Sequence, residues 1–107
     1  MNLSELVYEL TQKFPKTEQY GLTSQMRRAA VSVASNIAEG SQRSTRNDFA
    51  HFLLIAKGSL AELETQSLLS LRLTYLTQAE CNKILSIAEE LSRMLYTFRS
   101  KLVTRAS

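Results

Sequence analysis

A chain of 107 residues and 12.1 kDa supplies one hydrophobic core, since two cores in so short a chain would each be marginal. With 44% hydrophobic and 21% charged residues, Gly 3 and Pro 1, it is too apolar for disorder and too poor in turn residues for an all-β fold. It also lacks the run of about eighteen apolar residues that a membrane helix needs. The formal charge of +3 is mildly basic, and one cysteine (Cys81) with one histidine (His51) excludes an internal disulfide framework and a dedicated Cys/His zinc site. The start, Met1-Asn2-Leu3-Ser4-Glu5, does not read as a signal peptide, so the expectation is a cytoplasmic, all-α, single-domain protein over residues 1–107.

Leu3, Leu6, Val7, Leu10 and Phe14 share one face of a first helix. Pro15 stops it, because the residue before a proline is pushed out of the α region and proline lacks an N–H. Gly21 marks the turn that follows, and Thr23 or Ser24 is placed to cap a second helix running from about Thr23 to Gly40. Its main stripe is Leu22, Met26, Ala29, Val33 and Ile37, and a flatter apolar face carries Ala30, Val31, Ala34 and Ala38. More than half the circumference is therefore apolar, wider than one neighbouring helix requires. Gly40 sits where a C′ glycine is expected.

Thr45-x-x-Asp48, directly before Phe49, resembles a capping box and starts a third helix that runs to about Arg72. Phe49, Phe52, Leu53, Ala56, Leu60, Leu63 and Leu71 form its stripe, while Leu54, Ala61 and Leu68 lie on a different side. Gly58 in the middle costs about 1 kcal/mol against alanine, and close approach of another helix is the expected reason. Thr77-Gln78-Ala79-Glu80 is a full capping box, with Leu76 and Cys81 as its hydrophobic staple. The fourth helix shows one apolar face, Ile84, Ile87, Ala88, Leu91, Leu95, Phe98 and Leu102, and one polar face on which Glu89 and Arg93 are spaced to pair. Four helices with short connections predict an antiparallel up-down-up-down bundle with a short first helix. Helices three and four each span roughly 40 Å and the first about 18 Å, so an apolar groove is left partly uncovered. Self-association is the expected consequence.

The stretch from Tyr20 to Gly40, YGLTSQMRRAAVSVASNIAEG, together with Phe52-Leu53 and Gly58-Ser59-Leu60-Ala61-Glu62-Leu63-Glu64, resembles the four-helix-bundle proteins encoded in intervening sequences of 23S ribosomal RNA genes. Their superfamily includes the accessory variability determinant of diversity-generating retroelements, which this chain resembles only distantly. The resemblance implies a homopentameric ring and no enzymatic activity; the retroelement relatives bind nucleic acid and a reverse transcriptase. Two departures are visible: the chain has no tryptophan, which members often carry in a longer first helix, and it has Ala34 where many carry proline.

Antiparallel threading brings Arg43 and Arg46 to the pole that holds Arg99, Lys101 and Arg105, a basic cluster of the kind that contacts nucleic-acid phosphates. A solvated rim complementing the C-terminal dipole of helix four accounts for the same residues, and no base-stacking aromatics flank them. Arg27 and Arg28 are expected to face the later part of helix three, Arg28 within reach of Glu62, and Glu39 within reach of His51 or Arg46. Such pairs would fix helix register or subunit contacts. Asn36 and Glu39 border the apolar stripe and need hydrogen-bond partners where buried. Glu62 and Glu64 point about 200° apart on a helix and cannot act as an acid–base pair. His51 has no nucleophile beside it and reads as a surface histidine. Cys81 lies at a helix N-terminus, which lowers a thiol pKa, but as a staple residue it reads as buried and inert. With no glycine-rich phosphate loop and no HExxH or Glu-x-x-His pattern, no cofactor or metal is expected. Three functions remain open: an oligomeric scaffold or adaptor for a macromolecular partner, an RNA- or DNA-binding ring, and a small enzyme, for which no catalytic constellation is found.

Overall fold

The structure, a computed structural model, describes residues 2–104. Helix α1 spans Leu3–Thr11, a single 3-10 turn covers Lys16–Glu18, and α2 (Leu22–Ser41), α3 (Arg46–Arg72) and α4 (Gln78–Thr104) follow. They form an antiparallel four-helix bundle 48 Å long and 22 × 21 Å across. The long α3 packs along both α2 and α4, and α1 wedges between α2 and α4 on the opposite side. Two long-range contacts fix the directions. Lys13, just beyond α1, forms an ion pair with Glu80 in the first turn of α4, and Arg99 near the end of α4 donates from Nε to the Ala50 carbonyl near the start of α3 (3.3 Å).

The expected stripes supply the core. Val7, Met26, Leu53, Leu60, Leu63 and Ile84 are fully buried, one or more from each helix. Both capping motifs form. Thr45 Oγ1 accepts from the Asp48 N–H (3.1 Å). Thr77 and Glu80 exchange reciprocal bonds, Glu80 N–H to Thr77 Oγ1 (3.1 Å) and Thr77 N–H to Glu80 Oε1 (2.9 Å), over a buried Leu76–Cys81 staple.

Four details differ from the sequence reading. Helix α1 ends at Thr11, one turn before Phe14; the Phe14 N–H bonds the Thr11 carbonyl (3.1 Å), and the Phe14 ring leaves the helix but stays in the core against Tyr75. The start of α2 is capped by neither Thr23 nor Ser24: Glu18 reaches forward from the 3-10 turn, accepting from the Leu22 N–H at Oε1 (3.1 Å) and from the Tyr75 hydroxyl at Oε2 (3.1 Å). One carboxylate thus caps α2 and ties it to the α3–α4 connection. That connection turns through Thr74 at φ 65, a conformation usually left to glycine, while the Tyr75 N–H bonds the Ser70 carbonyl (2.9 Å).

Neither helical glycine plays its expected part. Gly40 is not a C′ residue but lies buried within α2, where an added Cβ would sit 2.8 Å from the Phe52 Cβ and 2.9 Å from the Phe49 ring. It is a point of close approach between α2 and α3. Gly58, for which that role was expected, has no atom within 4 Å of an added Cβ and faces open space on α3. Urea denaturation should separate them: Gly40→Ala is expected to destabilise by about 1–3 kcal/mol through overpacking. Gly58→Ala should stabilise the fold of a subunit by up to about 1 kcal/mol through helix propensity.

Candidate interaction surfaces

Between α2 and α3 the interface carries a polar seam. Asn36 Nδ2 donates to the Ser32 carbonyl (2.8 Å) and to Ser32 Oγ (2.9 Å), and Ser32 Oγ shares a hydrogen bond with Ser59 Oγ across the helices (2.9 Å). This satisfies half-buried Asn36. Toward the other pole the seam opens into a cleft lined by Gln25, Arg28, Ser32, Glu62 and Gln66. Arg28 and Glu62 both line it, but no ion pair forms between them, and Gln66 Oε1 is buried without a hydrogen-bond partner among the described residues.

Arg27 does not face α3. It lies against α1, donating from Nε to Thr11 Oγ1 (2.9 Å) and stacking its guanidinium 4.5 Å over the Tyr8 ring. Helical geometry explains the difference: consecutive residues are 100° apart, so Arg27 and Arg28 cannot serve the same neighbour. Glu39 reaches neither His51 nor Arg46. It forms an i,i+4 ion pair with Arg43 (2.8 Å), whose guanidinium also lies 4.8 Å over the Phe52 ring. The expected Glu89–Arg93 pair does not form.

The basic pole is partly assembled. Arg43, Arg46 and Lys101 are exposed at the end of the bundle where α4 ends beside the start of α3, and half-buried Arg99 is held there by its bond to Ala50; Arg105 lies outside the described residues. Arg43 pairs with Glu39, which leaves Arg46, Arg99 and Lys101 without an acidic partner at that pole among the described residues.

Two apolar surfaces dominate the rest. On the outer side of α3, Leu54 (48% exposed), Ile55 (39%), Leu68 (49%) and Leu69 (48%) surround Gly58 and Ala61. On the opposite side of the bundle, where α1 has run out, a groove of about 660 Å³ lies between α2 and α4, lined by Ile37, Leu91, Met94, Leu95 and Phe98. Sequence periodicity signalled the first through Leu54, Ala61 and Leu68, and helix lengths signalled the second. The Arg27–Tyr8 stack and the Ser32–Ser59 bridge carried no local signal, since each joins residues on different helices.

Chemistry is confined to structure. Cys81 is fully buried, its Sγ donating to the Ser67 carbonyl (3.6 Å), and desolvation pushes its thiol pKa up rather than down. His51 is exposed, its ring 5.9 Å from that of Phe52. Among the described residues, no group of three or more His, Cys, Asp or Glu could hold a metal ion, and no helix is long and apolar enough to cross a membrane.

The family model of the 23S rRNA-intervening sequence proteins matches residues 1–97. The chain belongs to that family. A crystal structure of a protein of unknown function from the S23 ribosomal protein family of Bacteroides thetaiotaomicron superposes with a TM-score of 0.77, at 21% identity, over 91% of this chain and 97% of that one. This likeness establishes a shared fold. No curated protein matches.

In this 23S rRNA-intervening sequence protein the two neighbouring arginines have separable roles. Arg27→Ala should lower stability in urea by about 1–2 kcal/mol, through a lost charged hydrogen bond and a lost ring stack. Arg28→Ala should change the stability of the isolated fold by no more than about 0.5 kcal/mol.

Proposed function

We propose that this protein is a non-enzymatic, cytoplasmic, self-assembling bundle that serves as a scaffold or adaptor for a macromolecular partner. The observation that carries this reading is the outer face of α3. Leu54, Ile55, Leu68 and Leu69 are each about half exposed along one side of a helix whose other side is already buried in the core. A stable monomer has no use for so wide an apolar strip in water. Gly58, open in the single chain, sits in that strip and lets a second backbone approach. Beside it Arg28 and Glu62 have no ion-pair partner among the described residues, and Gln66 Oε1 lacks a donor there; a neighbouring copy could satisfy all three. Arg27, Asn36 and Glu39, by contrast, are occupied within the chain and act in holding the helices together. The family resemblance supports a pentamer.

Leu68→Glu places a charge in this strip without touching the core. Light scattering should then report a fall in mass from an assembly to the single 12.1 kDa subunit, with helical circular dichroism retained. A variant that keeps the mass of the parent protein would contradict this reading. Gly58→Ala should weaken association while stabilising the subunit, an opposition that a helix-propensity effect alone does not produce.

The juxtaposition of Arg46 and Lys101 at one pole supports a second reading, nucleic-acid binding by phosphate contacts repeated around a ring. Binding of single-stranded RNA should then weaken steeply between 50 and 200 mM salt, an interval over which about six phosphate contacts cost roughly a thousandfold. The double variant Arg46→Glu, Lys101→Glu should abolish binding, and unchanged binding by that variant would end this reading.

A further inference from the structure

The groove beyond α1 runs along α4, with Ile37 of α2 at its edge. Ile37 and Leu91 line it and also line the cleft around Asn2, Leu3 and Ser4, so it begins where the N-terminus of α1 leaves off and continues along the same axis between α2 and α4. Its floor is apolar: Leu95 is buried, while Met94 (59% exposed) and Phe98 (43%) stand open beside it. From Leu91 to Lys101 the α4 wall is roughly 15 Å long, room for about three turns of helix. On the α2 side Ile37 alone lines it, and the rest of its lining comes from α4. The rim is positive. Arg93 and Lys101 line the groove, both exposed, and neither forms an ion pair among the described residues, although Glu89 and Glu90 precede Arg93 on the same helix. No acidic side chain lines it.

We infer that this groove is a docking site for an acidic amphipathic helix of a partner protein, seated as a continuation of α1. Leucine-like residues at i, i+3, i+4 and i+7 would fill the floor, and carboxylates on the flanks would meet Arg93 and Lys101. Polarity follows from the helix ends. A guest parallel to α1 places its C-terminal partial negative charge against the N-terminal positive end of α1, and its own acidic first turn beside Lys101. The guest is then antiparallel to α2 and α4, as α1 is. The inference rests on the adaptor part of the proposed function and names its partner class; self-assembly through α3 uses the opposite side of the bundle.

The probe is a fluorescein-labelled, hydrocarbon-stapled helix of about eleven residues, with leucine at i, i+3, i+4 and i+7 and glutamate on the flanks. Its control carries lysine at every glutamate. Fluorescence anisotropy with the full chain should show the acidic helix binding at least about fivefold tighter than the basic one. Arg93→Glu with Lys101→Glu should reverse that order, whereas the same charge change made at Lys16 and Arg72 should not. Met94→Glu should abolish binding of the acidic helix while leaving the mass of the assembly unchanged. Equal binding of the two helices, or an order that Lys16→Glu with Arg72→Glu also reverses, overturns the inference. So does absence of binding by a chain that still assembles, a result that leaves the self-assembly reading standing. A fall in assembly mass in Met94→Glu would show instead that a second copy fills the groove, and overturns the inference too.

Discussion

A nine-residue helix cannot cover neighbours of 20 and 27 residues. Helices α3 and α4 each extend roughly 40 Å, and α1 shields only about 14 Å of the seam between α2 and α4. Past Leu3 the bundle is a three-helix sheet with an open side, and Ile37, Leu91, Met94 and Phe98 meet water there. The remaining organisation follows from how the chain compensates. Arg27 clamps the short helix to α2 through Thr11 and Tyr8, Lys13 ties its end to Glu80 of α4, and Glu18 pins the following turn to both α2 and Tyr75. A helix with so little buried area needs these polar anchors, because propensity alone leaves short helices marginal in water.

Helix α3 has the opposite problem. It is buried on two sides by α2 and α4 and still carries leucines on the side that remains. Under the proposed self-assembly, such a helix would lie at the centre of a larger body than one subunit provides. Gly40 and Gly58 mark the two regimes on either side of it. Gly40 is required by a contact within the chain, where Phe49 and Phe52 leave no space for a methyl group; Gly58 is required by nothing within the chain. Glycine in mid-helix costs stability, so its place at Gly58 is best accounted for by a neighbour outside the subunit.

Much of this architecture was legible in the residues themselves. The stripes through Met26, Leu53, Leu60 and Ile84 and the Thr45 and Thr77 caps depend on spacing within one helix, and they form as read. What escaped notice depends on two helices at once. Glu18 replaces Thr23 as the α2 cap because Tyr75 fixes its carboxylate from 57 residues away, more than half the chain. Glu39 chooses Arg43, one turn away, over more distant cations, and Arg27 turns to α1 because α1 lies on its side of α2. The basic pole was legible as a location, since antiparallel threading alone brings Arg99 to the start of α3, but the neutralisation of Arg43 was not.

Sedimentation equilibrium of the unaltered protein, followed from high to low micromolar concentration, tests most directly whether subunits cover one another's α3. A mass of about five times 12.1 kDa, holding across the range, is the expected result. A single subunit of 12.1 kDa at every concentration would mean that water tolerates the exposed leucines, and the assembly inferred from them would not exist.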